Sequence, residues 1–70
     1  MTPNKIRFEL MEADITMADI ARSLDPPVSH AAVRRVINRN SESARIRKAV
    51  AKAIGRDVKA VFPEKYINVG

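Results

Sequence analysis

"TMADIARSLDPPVSHAAVRRVIN", residues 16–38, decides the fold. Thr16 can cap a helix N-terminus, and Asp19 three residues later can reach back to the cap as a capping box does, while Ile15 and Ile20 can staple across it. Met17, Ile20, Ala21 and Leu24 then recur at helical spacing, and the small Ala21 lets another helix cross closely. Asp25-Pro26-Pro27 must end that helix, because residues before proline are pushed out of the α region and proline lacks the donor that a helix needs. Ser29 can cap a following helix that runs to about Asn38. Its apolar residues Ala32, Val33, Val36 and Ile37 face inward, leaving His30, Ala31, Arg34, Arg35 and Asn38 outside. That outer face carries no acid.

The flanking sequence has the same helical grammar. Thr2 before Pro3 marks a cap and a first helical position, and predicts a helix over about 3–13. Ile6, Leu10 and Ala13 form its inward stripe; Phe8 and Met11 lie off that stripe and are expected to pack under the C-terminal tail or to meet a partner chain. Downstream, "NRNSES" is a polar loop in which Ser41 or Ser43 can cap a helix with the stripe Ile46, Val50, Ala53 and Ile54. Gly55 sits where a left-handed residue ends it. Asp57 can cap a last turn, "VKAVF", which Pro63 stops, and the tail 64–70 has too little pattern to assign. The expectation is an all-α single domain over 1–70, with four helices and a terminal turn.

Composition agrees. Seventy residues form one domain at most, with a small core, because so short a chain buries only about 60% of its unfolded surface. Ten alanines, one tyrosine, two phenylalanines and no tryptophan suit closely packed short helices better than a sheet. The absence of cysteine removes disulfides and thiolate metal sites. No apolar run approaches the roughly 20 residues of a membrane span, and the N-terminus has polar residues where a signal peptide needs apolar ones. A soluble protein in a bacterial cytoplasm is expected.

The net charge of +5 is unevenly spread. Residues 1–28 hold three basic and five acidic groups, −2; residues 29–40 hold three basic and none acidic, +3; residues 41–70 hold seven basic and three acidic, +4. A positive field confined to the second half fits a polyanionic partner, nucleic acid first. A helix, a tight break and a second short helix split between apolar and basic surfaces form the layout of a helix-turn-helix, here about 16–38. In that motif the second helix enters the major groove. Arginine's planar fork matches guanine O6 and N7, and asparagine can pair with adenine N6 and N7. Arg34, Arg35 and Asn38 are therefore the candidate base readers. Ser29, His30, Arg39, Arg45, Arg47 and Lys48 are the candidate backbone contacts, which give affinity without sequence choice.

Catalysis has little to work with. One histidine, no cysteine, no glycine-rich phosphate loop and the solvated pair Glu9/Glu12 offer no nucleophile with a base at a workable spacing. Ligand count argues against a metal, and neither a cofactor nor a small-molecule ligand is expected.

"ITMADIARSL…VSHAAVRRVI" and "RIRKAVAKAIGRDVKAVFPEKY" together resemble the Ner-like regulatory proteins of Mu-type transposable phages and their bacterial relatives, within the lambda-repressor-like superfamily. The resemblance covers about residues 3–66 and is most specific at its end, Ala53-Ile54-Gly55 followed by Phe62-Pro63-Glu64-Lys65-Tyr66. It implies a four- to five-helix lambda-repressor-like domain that controls phage early or lysogeny-related genes, with Ser29 to Asn38 as recognition helix. Two departures stand out. Asp-Pro-Pro replaces a glycine-centred turn and is about two residues longer, which leaves the angle between the helices to the tertiary structure; Phe62 replaces a tryptophan.

The expected function is a sequence-specific double-stranded DNA-binding transcriptional regulator, not an enzyme. A homodimer on two half-sites would extend the few base pairs that one module covers, with Phe8, Met11 and the tail as candidate surfaces. The alternative is a small accessory module that binds an acidic partner and has only non-specific, salt-dependent affinity for DNA.

Overall fold

Each predicted cap forms in the computed structural model, which describes residues 1–63. Thr2 Oγ1 accepts from Lys5 N at 3.2 Å and starts α1, Pro3–Glu12. The Thr16/Asp19 capping box, closed by two 3.0 Å bonds, starts α2, Met17–Ser23. Ser29 Oγ accepts from Ala32 N at 3.2 Å ahead of α3, His30–Ile37. Of the two candidate serines, Ser43 begins α4, Ala44–Ala53, by accepting from Ile46 N at 3.3 Å. Asp57 caps the short α5, Val58–Val61, through Lys59 N at 2.9 Å. Such caps satisfy orphan N–H groups from within three residues, which is why they can be read from sequence. Among the described residues there is no strand.

The helix ends also follow one rule. Asp14, Arg39 and Gly55 take positive φ values of 58°, 63° and 67° just past α1, α3 and α4. The next residues, Ile15, Asn40 and Arg56, donate back five positions to Leu10, Arg35 and Ala51 at 2.9, 2.8 and 3.0 Å. This is the Schellman closure, and only Gly55 advertises it by residue type.

The core collects one side of every helix: Ile6 and Leu10, Ile20 and Ala21, Val33, Val36 and Ile37, Ile46, Val50 and Ala51, then Val61 and Phe62. Two stripes differ from expectation. Ala13 is exposed, because α1 ends at Glu12 and Ala13 turns away as its C-cap. In α4 the buried set is Ile46, Arg47, Val50 and Ala51, while Ala53 and Ile54 are only partly covered. The i, i+4 pair Arg47/Ala51 thus falls inside.

The Asp-Pro-Pro turn is anchored at both sides. Ser23 Oγ donates to Ile20 O at 2.7 Å as α2 ends, and Val28 N donates to Ala21 O at 3.2 Å, folding the chain back before α3 starts. Asp25-Pro26 is cis. Arg45, one residue into α4, donates through its guanidinium to the Pro26 carbonyl. The longer turn is thus tied to both the helix before it and α4.

Phe8 and Met11 remain 49% and 68% exposed. The tail 64–70, expected to cover them or to meet a partner, lies outside the described residues.

Candidate nucleic-acid interface

α3 divides cleanly. Val33, Val36 and Ile37 have no exposed surface, whereas His30, Arg34 and Arg35 are exposed. The 3.6-residue period puts positions 33, 36 and 37 on one face and turns 34 and 35 away from it, while His30, two turns before Ile37, is exposed as the first residue of the helix. No acid occurs anywhere from 29 to 40, so the exposed guanidiniums meet no local counter-charge along the helix. Ser29, also exposed, caps this helix with its Oγ as acceptor, and its hydroxyl hydrogen is left for an outside acceptor.

Asn38 is the C-cap of α3 and half-buried. Its Oδ1 accepts from the guanidinium of Arg7 on α1, and Arg7 also donates to Asn4 Oδ1 at 3.1 Å. An α1 arginine therefore joins the C-terminal end of the basic helix. The sequence analysis gave Arg7 no part in the site; the one local signal was the i, i+3 pair Asn4/Arg7.

The six expected backbone contacts do not form one surface. Ser29 and His30 flank the start of α3 and stand beside its arginines. Arg45 and Lys48 line a groove between α2 and α4 instead. Arg39 and Arg47 turn inward. Arg39, positioned by its own positive φ, donates to the carbonyls of Ile37, Met1 and Val61 at 3.1, 2.5 and 3.2 Å, and its guanidinium carbon lies 5.0 Å from the Phe62 ring centre. Arg47 is only 4% exposed. It approaches the same ring at 5.6 Å, and its Nε and Nη1 have no hydrogen-bond partner among the described residues.

Phe62 thus has two guanidiniums over its ring, contacts that the ring quadrupole favours. It ties α3, α4 and α5 together with the N-terminus, whose Met1 N donates to Val61 O at 3.0 Å. Arg39 and Arg47, two of the expected phosphate contacts, are thus placed against this ring. Both side chains are committed to the ring and, for Arg39, to backbone carbonyls, because Phe62 is fully buried where α4 and α5 meet.

Two acids on other helices are engaged locally. Glu9 is held by Arg56 in a bidentate pair, both bonds 2.7 Å, and that hydrogen bonding lowers its pKa below the ordinary glutamate value. Asp19 is lowered too, chiefly by the Thr16 backbone N–H. Among the described residues no cluster of three His, Cys, Asp or Glu side chains could hold a metal ion, and no helix is long and apolar enough to cross a membrane.

A family model described as winged helix-turn-helix DNA-binding matches residues 1–70. No curated protein and no solved structure matches the chain.

Proposed function

The chain belongs to the winged helix-turn-helix DNA-binding family, and on that premise we propose that it is a sequence-specific regulator of transcription that reads the DNA major groove with α3. One observation carries this: Arg34 and Arg35 are exposed on the same short helix whose Val33, Val36 and Ile37 are fully buried, next to no acid between 29 and 40. A helix fixed by its apolar side and arginine-bearing on the other is suited to place guanidinium forks against guanine edges.

In this assignment Arg34 and Arg35 read bases. Ser29 and His30 meet phosphates at the helix start, and Arg7 works with Asn38 at its end, where Asn38 presents its amide N–H₂ while Oδ1 is held. Arg45 and Lys48 lie on the α2–α4 side and Arg39 and Arg47 around Phe62, so none of the four belongs to the reading face. The resemblance to Ner-like proteins supports a phage or prophage source and a role as repressor of early or lysogeny-related genes.

Selection of bound duplexes from a random pool at physiological salt tests the proposal. A consensus should emerge, and Arg34→Ala should cost about 1–3 kcal/mol on it while relaxing preference at one position. Weak, wholly salt-dependent binding with no enriched sequence would instead fit an accessory module for an acidic partner.

A further inference from the structure

Two surfaces among the described residues are left uncovered by the other helices, although Lys5 of α1 lies over the Phe8 ring, and they complement each other. The first is the outer face of α1, where Phe8 is 49% and Met11 68% exposed. Glu12 beside them is exposed and forms no ion pair among the described residues. The second is a groove of about 560 Å³ between α2 and α4. Its apolar lining includes Ile15, Leu24, Ala49 and Ala53, and Lys48 and Lys52 stand with Arg45 along its α4 side. Those lysines are one turn apart, about 6 Å along the axis, and neither is ion-paired among the described residues. The acid in the lining, Asp19, is already engaged by Thr16 N and Arg22.

We propose that these are the two halves of one interface: α1 of a second copy of this chain seats Phe8 and Met11 in the α2–α4 groove and sets Glu12 against Lys48 and Lys52. Apolar side chains exposed on a small domain gain by leaving water, and an apolar groove with a cationic side takes an apolar helix face that carries a carboxylate. The chain's charge asymmetry acts in the same sense. Residues 1–28 sum to −2 and residues 41–70 to +4, so the first part of one copy is drawn to the second part of another.

Ile15 lines this groove and also the hollow beside Met11. The two halves therefore share an edge, an adjacency that permits reciprocal exchange in a two-fold pair. Neither half contains Arg34 or Arg35, so pairing leaves α3 uncovered and stands independently of whether α3 reads DNA. The contact is small, which places it among weak, transient interfaces.

Sedimentation equilibrium of the full chain without DNA, in a series reaching about 1 mM, tests the pairing. Three variants accompany the wild type: Met11→Asp, Glu12→Lys, and Lys48→Glu with Lys52→Glu, all at exposed positions and each checked for helical content. The wild type should associate, and each variant alone should associate about tenfold more weakly or worse. An equimolar mixture of Glu12→Lys with the double glutamate variant should recover association, since each then offers the charge that the other's surface requires. A wild type that stays monomeric throughout, or association that the variants leave unchanged, overturns the proposal; so does a mixture that fails to recover it.

Discussion

Arg7 of α1 donates to Asn38 Oδ1 at the C-cap of α3, joining residues 31 positions apart. The bond sets the far end of the basic helix against α1, so the helix that bears Arg34 and Arg35 is held at its start by Ser29 and at its end by Arg7. A half-buried hydrogen bond to a charged donor contributes more than a neutral one.

Arg7→Ala and Asn38→Ala should therefore be coupled. A double-mutant cycle by urea unfolding is expected to give an interaction of about 1 kcal/mol. Purely additive losses would mean that Asn38 is free to act alone at the DNA.

Ser29 allows its two roles to be separated. Its Oγ caps α3 at Ala32 N, so Ser29→Ala should lower stability by about 1 kcal/mol. Ser29→Asp keeps a capping oxygen but adds a negative charge next to any phosphate. Thermal unfolding should show the aspartate variant close to wild type, while duplex affinity measured at fixed salt falls. Undiminished affinity in Ser29→Asp would remove Ser29 from the DNA face.

Arg47 provides the sharpest contrast with a surface charge. It is 4% exposed, with Nε and Nη1 unpartnered among the described residues. A buried charge without full hydrogen bonding costs more than an apolar replacement, against which the ring contact is worth about 1–2 kcal/mol. Arg47→Met should leave the unfolding free energy unchanged or raise it by about 1 kcal/mol, with DNA affinity intact. A drop in affinity without a change in stability would put the guanidinium on phosphate after all.

Acid sensitivity should track Glu9. Its pair with Arg56 at 2.7 Å lowers the folded-state pKa, so this contribution is complete above the ordinary glutamate value and is lost as pH falls through the lower folded value. Asp19 has the same sign, through the Thr16 N–H. Thermal midpoints should hold steady from neutral pH down to the ordinary carboxylate range and fall below it. Glu9→Gln should make that fall shallower; an identical acid profile in this variant would assign the loss to other groups.

Much of the fold was legible because its decisive interactions are local. The caps at Thr2, Thr16, Ser29, Ser43 and Asp57 each bridge two or three residues, and the helical period placed Val33, Val36 and Ile37 inside and Arg34 and Arg35 outside before any tertiary contact was known. Two of the three left-handed helix ends were not legible, since Asp14 and Arg39 lack the glycine that marks such a position at Gly55. In α4 the period placed Ile46 and Val50 correctly, but Arg47 and Ala51 are buried beside them where Ala53 and Ile54 were expected.

By itself, then, the sequence determined five capped helix starts, the break at Asp-Pro-Pro and the two-sided character of α3. Those features rest on backbone chemistry and periodicity within a few residues. Only the tertiary structure decided which cations remain available. Phe62 draws Arg39 and Arg47 inward, Pro26 takes Arg45, and Asn38 takes Arg7. Each of these pairings spans 15 residues or more of chain, and a guanidinium goes to whichever ring or carbonyl the packing of distant helices brings within its reach.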